Sequence, residues 1–499
     1  MQRVAEKIDQ PTPDEVGRLA RYSAKWVFGL LVARQMITLA TTMVVSRLVT
    51  PVDVGMVGMV STFVAFMVLF DTGLTWATVQ PKDLSRDQVD SMFWLGLLLG
   101  GLLWLICIAA GPLLASFYHV QELSLITCVM GASVFFNSMT TQLSALLKRA
   151  MRQKANNTID TMAIIVSCVI GISMALANFG YWAIVAQAVS VQPMRFLLLL
   201  QFSGYRPGGP RFSRSALHLL KPGGLYAASN YICYIQLYIA TILIGHVFGS
   251  ESLGYYLKAT ALKALPTMYA AMVVTDVMVS SLAVFQSDPD RMGAAYRKAL
   301  RAIAFVGCPA GALLLPLAPD VVHLLYGEQW KEAVPILRWL ALSAVALPVT
   351  TTTIWLFLAA GKAKDQLIMN IGLSVIAAVA YAMALMKLDS LIHYVILEVV
   401  LFTLIYPGIS LIVSHKSVGL SLRDTLKAIF PIILLSLLTA IFVAILNLII
   451  KSETAWLAVF MIKSAAGCAF YIGAAAVIVR PFPIGIVESG LSKFRDRVP

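Results

Sequence analysis

The chain has 499 residues, of which 59% are hydrophobic and 13% charged, with a formal net charge of +13 and a mean hydropathy of +0.82. Soluble domains carry about 25% charged residues, so this composition excludes an ordinary cytosolic enzyme, a disordered chain and a secreted disulfide scaffold. Apolar runs recur from Trp26 to Arg480, which predicts an all-α polytopic membrane protein and not a soluble domain on one anchor.

Residues 1–25 read as a polar cytoplasmic tail with Arg3, Lys7, Arg18, Arg21 and Lys25, and no small-residue cleavage site follows. Six spans are then predicted over 26–46, 55–79, 91–115, 122–145, 159–177 and 181–200, an N-terminal bundle occupying 26–200. A basic connector at 201–222 leads to six more, over 223–247, 255–284, 300–319, 333–360, 366–386 and 391–414, a second bundle at 223–414. An extra helix pair follows at 427–449 and 455–479, and 480–499 is a second cytoplasmic tail, so about fourteen transmembrane helices are expected.

The loop charges test this count. Twenty-eight lysines and arginines fall on the side of the N-terminus, while Arg47, Lys331, Lys387 and Lys451 fall on the other. A missed span would invert every later loop and destroy the alternation, so an even count with both termini cytoplasmic follows from the positive-inside rule. The same rule accounts for the net charge without nucleic acid as a partner.

The halves also resemble each other. Arg47–Gly55 joins the first span to the second, and His246–Gly254 occupies the equivalent turn two hundred residues later. Phe117–Glu122 likewise has a counterpart in Leu325–Trp330. Both pairs keep their place within each half, which predicts parallel repeats about an axis along the membrane normal.

Six scattered cysteines and six scattered histidines make no metal-ligand spacing, and no phosphate loop, zinc-hydrolase or nucleophile motif is present, so neither metal nor cofactor is expected. Ionisable groups inside spans are more informative, because each must face protein or water. Arg34, Asp71, Lys263 and Asp276 are the main candidates for substrate binding or coupling, the two bases holding an anionic head group and the two acids neutralising them or titrating. Lys258, Arg338 and Glu398 are weaker candidates; the first two lie near the outer interface, where their chains can snorkel. Asp160 caps its helix or pairs with Lys154, and Arg195 and Lys463 read as anchors at helix ends. Gly223 and Gly224, after Pro222, are hinge candidates for alternating access, with Pro222 itself in the role of a first-turn residue.

Four stretches carry a family resemblance: Ser46–Gly55, Leu69–Leu74, Gly254–Ala259 with Leu265–Pro266, and Leu325–Trp330 followed by Ala333–Leu337. Through them the chain, over 20–480, resembles the bacterial polysaccharide transporters, the O-antigen and exopolysaccharide flippases of the multidrug/oligosaccharidyl-lipid/polysaccharide exporter superfamily. The resemblance implies two six-helix bundles around a cleft, location in the bacterial inner membrane, and an undecaprenyl-diphosphate-linked oligosaccharide as substrate. It also implies glycosyltransferases upstream, a polysaccharide polymerase and export machinery downstream, and coupling to a proton or sodium ion that the residues leave open. Two rivals are weighed: a multidrug or small-solute exporter, typically of twelve helices, and a polymerase or ligase of lipid-linked glycans, which needs a larger outer loop than the 14 or so residues present here.

Overall fold

The computed structural model describes residues 13–71, 85–150, 152–205, 207–209, 214–283, 285–286, 288–385, 390–450 and 456–478. They are helical almost throughout, as apolar solvent demands: a backbone in lipid must satisfy its own hydrogen bonds. The first helices are α1 (Pro13–Leu48), α2 (Pro51–Val68, continued by a 3-10 turn at Leu69–Asp71), α3 (Arg86–Tyr118), α4 (Leu123–Arg149), α5 (Gln153–Leu176) and α6 (Tyr181–Phe202).

The next stretch, Arg214–Ala283, holds its hydrogen bonding across Gly249, whose φ of 78° and ψ of −179° are not helical. Two helices therefore meet there, α7 (214–248) and α8 (250–283), and only glycine takes that backbone conformation without strain. Then come α9 (Pro289–Tyr326), α10 (Ala333–Ala359), α11 (Ala363–Leu385), α12 (Leu391–Val418), α13 (Leu422–Ile449) and α14 (Trp456–Ile478). Among the described residues thirteen stretches are long and apolar enough to cross a membrane, and one of them, Leu237–Leu265, is the stretch divided at Gly249. The described residues thus carry thirteen such stretches where about fourteen spans were expected.

Local chemistry sets the ends. Thr50 and Asp53 form a reciprocal capping box at the start of α2, with Pro51 in its first turn. Ser85 and Gln88 do the same for α3, and Asp288 and Ser421 cap α9 and α13. The 38-residue α9 is longer than a bilayer needs, and its first turns carry Arg291, Arg297, Lys298 and Arg301, so the expected basic loop is itself helical.

The fold divides into two compact units, Met1–Gly254 and Tyr255–Pro499. This division falls beyond the 201–222 connector. The reason lies in α7, which packs with the helices before it: Tyr234 donates to the Thr62 carbonyl, and Gly245 lies against Met59 and Tyr118. In the first unit α3 packs on α4, α5 on α6, and α1 on α5. In the second, Tyr296 and Ile303 of α9, Trp355 of α10, Leu411 of α12 and Ile429 of α13 form one buried core. Leu98, Leu102, Leu105 and Leu113 of α3 remain exposed, the pattern of a helix face solvated by lipid.

The two turns paired by the internal repeat meet reciprocally within the first unit. A methyl group placed on Gly55 would fall 1.7 Å from the Ser250 carbonyl oxygen, and one on Gly254 would fall 2.0 Å from that of Pro51. Only glycine permits this backbone approach, and each glycine faces the residue matched by the repeat to the other's partner.

Candidate functional site

The second unit contains a buried ionic group. Glu398, in the third turn of α12 and 3% exposed, accepts from the Tyr256 hydroxyl at 2.7 Å and from Lys263 Nζ at 2.8 Å, through different carboxylate oxygens. Tyr256 and Lys263 lie seven residues apart on α8, two turns, so one helix face delivers both donors to one carboxylate. The side chains of Lys263 and Glu398 are 12% and 4% exposed, so the pair is desolvated and each charge depends on the other. The turn after Glu398, Leu401–Ile405, is a π-helix, a widened turn that occurs frequently at functional sites. Phe402 within it lies 5.8 Å from Lys263 Nζ, ring centroid to nitrogen.

One turn earlier on α8, Lys258 sits against two aromatic rings, 4.7 Å from the Tyr326 centroid and 5.2 Å from that of Trp330. Two of the sequence stretches that carry the family resemblance therefore meet here, with Tyr255 packed edge-on to Trp330 at 6.1 Å. Lys258 is held by cation–π contacts rather than by snorkelling. Arg338, the other residue expected to snorkel, is exposed.

The first unit has a polar group of its own. Arg195 of α6 pairs with Asp160 of α5 at 2.6 Å and donates to Ser144 of α4, whose hydroxyl donates to Asn156. Asp160 thus pairs with Arg195 and not with Lys154, because α5 and α6 pack side by side; Lys154 instead lies 4.4 Å over the Trp26 ring. Arg195 is accordingly an interior partner and not a helix-end anchor. At the start of α3, buried Asp90 accepts from the Tyr205 hydroxyl and from Gly208 N, and Trp94 Nε1 donates to the Gly208 carbonyl at 3.0 Å. The beginning of the connector is thereby tied to α3. Burial and the Asp90 carboxylate push the Tyr205 phenol well above its ordinary value.

Of the main candidates, Lys263 joins Glu398, a residue that sequence reading ranked lower. Arg34 is half-buried on α1, and no described carboxylate pairs with it. The side chains of Asp71 and Asp276 lie outside the described residues, as do the surroundings of Gly223 and Gly224, through which α7 runs as helix. Tyr256 escaped sequence reading, although its spacing of seven from Lys263 on one helix was visible. Among the described residues no cluster of histidine, cysteine and carboxylate has the makings of a metal site.

The family model for "Polysaccharide biosynthesis protein" matches residues 44–335. The chain belongs to this family. It is 24% identical to an uncharacterized membrane protein of the cps region of Klebsiella pneumoniae, over 65% of this chain and 67% of that one. It is 22% identical to the lipopolysaccharide biosynthesis protein WzxC of Escherichia coli strain K12, over 54% and 56%. It is 24% identical to the succinoglycan biosynthesis transport protein ExoT of Rhizobium meliloti strain 1021, over 63% and 64%. The chain thus spans between about half and two thirds of the length of these relatives. Its fold is that of the lipid II flippase MurJ in an inward closed conformation, with a TM-score of 0.71 at 15% identity over 91% of this chain and 98% of that one. An inward-facing multidrug resistance transporter of the MATE family also matches, with a TM-score of 0.63 at 18% identity over 79% and 96%. The family member described here is an all-α, multi-pass membrane protein.

Proposed function

We propose that this protein moves polyprenyl-diphosphate-linked oligosaccharide repeat units across the bacterial inner membrane for exopolysaccharide assembly. The observation that carries the proposal is the family match over 44–335 joined to a fold shared along nearly its whole length with a lipid II flippase. The transport problem is that of a lipid flippase: a charged, hydroxyl-rich head group must cross apolar space. No bond need be made or broken, and the protein is read as a transporter and not an enzyme.

In this reading the basic loops keep both termini in the cytoplasm, where glycosyltransferases finish the repeat unit, and a polymerase and export machinery receive it on the far side. The two repeats make up two six-helix bundles, with α13 and α14 as an added pair. Arg34 and Lys263 are the groups offered to the diphosphate, since charge-assisted contacts to phosphate are strong; Asp71 and Asp276 are their counter-charges, and Gly223 and Gly224 allow α7 to bend. The MATE likeness supports a drug or solute exporter as the second reading, but the α13–α14 pair and relatives named for polysaccharide biosynthesis favour the lipid-linked substrate.

The test follows the lipid-linked unit in spheroplasts of a deletion strain that keeps the glycosyltransferases and lacks the polymerase. A membrane-impermeant glycan label reports outward exposure, and mass spectrometry gives the total. Complete units that stay unlabelled until the protein is restored are the expected result. Labelling that is unchanged by restoration, with normal totals, would make solute export the leading function.

A further inference from the structure

We propose that Lys263 and Glu398 form an exchangeable ion pair, and that Glu398 takes up a proton when a diphosphate draws Lys263 away. This rests on the flippase reading and adds to it the identity of a coupling ion and the group that binds it.

The pair is graded in depth. The side chain of Lys263 is 12% exposed and that of Glu398 4%, and in the proposal an anion meets the more exposed ammonium first. The lysine has a flexible stem and the Phe402 ring beside it, a surface along which a cation moves without losing all stabilisation. The carboxylate cannot follow, because Tyr256 holds its second oxygen and α12 fixes its backbone. Once Lys263 turns to a diphosphate, Glu398 is a buried charge with no counter-ion, a state that proteins avoid by neutralising the group. A proton on Oε1 does this: the carboxylate becomes a carboxylic acid, and the ammonium stays charged on the diphosphate. When the diphosphate leaves, Lys263 returns and the proton is expelled.

In the proposal the protonated form is assigned a partner. Tyr381 of α11 is 1% exposed, its ring stacks at 6.3 Å on that of Tyr394, one turn before Glu398 on α12, and its hydroxyl oxygen has no hydrogen-bond partner among the described residues. An unpartnered buried hydroxyl is costly, and in the proposal it accepts from the carboxylic acid, whereas an ionised carboxylate has nothing to donate. The other groups around the site leave this assignment intact. Tyr394 and Tyr406 are the further phenols near Tyr381. On α10, which packs against α12, the charged residue is Arg338, and it is exposed. Lys364 and Asp365 of α11 lie at least sixteen residues from Tyr381, about 24 Å along the helix.

The experiment uses the purified full chain in lipid nanodiscs with undecaprenyl diphosphate as probe. It is run in weak buffer with an indicator dye at about pH 8, above the second phosphate ionisation near 6. Wild type should take up a proton for each diphosphate bound. Glu398→Gln should bind the diphosphate with uptake lost, and Lys263→Met should bind at least about tenfold more weakly, the loss of one charge-assisted contact. A second variant, Tyr381→Phe, keeps the carboxyl but removes its acceptor, so it should bind normally while the pH of half-maximal uptake moves lower. Binding by wild type without uptake, uptake replaced by a requirement for sodium, or undiminished uptake in Glu398→Gln each overturns the proposal. Absence of binding by wild type overturns the flippase reading along with it.

Discussion

At the residue scale the stability of the second unit rests on charges that cannot be removed one at a time. Lys263→Met leaves Glu398 buried without a cation, which should cost about 3–5 kcal/mol. Adding Glu398→Gln should restore most of that loss, because glutamine is neutral and still accepts from Tyr256. Thermal unfolding of the purified variants in lipid checks this, and a double variant no more stable than Lys263→Met would show that the pair is not coupled. Lys263 was legible as an ionisable residue inside an apolar run. Its partner was not, because 135 residues separate Glu398 from it and nothing local marks which turn of α12 meets which turn of α8. The same holds for Asp160: proximity along the chain favoured Lys154, and packing of α5 on α6 chose Arg195.

Elements, by contrast, are terminated by local chemistry that a reader of the sequence can find. Thr50-Pro51-Val52-Asp53 is a capping signature, and it caps α2. Thr50→Ala should cost about 1 kcal/mol, and Asp53→Ala on top of it should cost more again, since the backbone N–H of residue 50 still donates to Asp53 Oδ2 in the single variant. The neighbouring Gly55 has a larger role. Gly55→Ala places a methyl group 1.7 Å from the Ser250 carbonyl oxygen, so α2 and the start of α8 must separate. Neither chain neighbour can yield, because the obstructing atom is backbone. Folded protein recovered in the membrane should fall well below that of Thr50→Ala, measured by fluorescence-detected gel filtration; equal recovery would mean that the two turns do not need their close approach. Gly249 belongs to the same scale: its positive φ divides one apolar stretch into two helices.

For the whole molecule the governing quantity is the distribution of basic residues over loops. It predicts that an alkaline phosphatase fused after Val49 or Phe248 is active and one fused after Arg152 or Lys416 is inactive, with a cytoplasmic fluorescent reporter giving the reverse. Activity at both members of a pair would require a different span count. The long α9 bears on this, since its basic first turns continue the helix beyond the length a bilayer needs.

Composition, hydropathy and loop charge alone determined that the chain is helical and many times membrane-spanning. They do so because each of these properties is settled locally, by lipid excluding unsatisfied backbone and by charge resisting transfer. The two turns that approach each other were legible as a matched pair, since they keep their spacing along the chain. Only the tertiary structure decided that Glu398 is the partner of Lys263 and Tyr256, that aromatic rings hold Lys258, and that Gly55 and Gly254 approach reciprocally. Those choices depend on the rotation and depth of one helix against another. Among apolar side chains surrounded by lipid many such rotations are nearly equal in hydrophobic energy, so a few buried polar contacts and close backbone approaches select one.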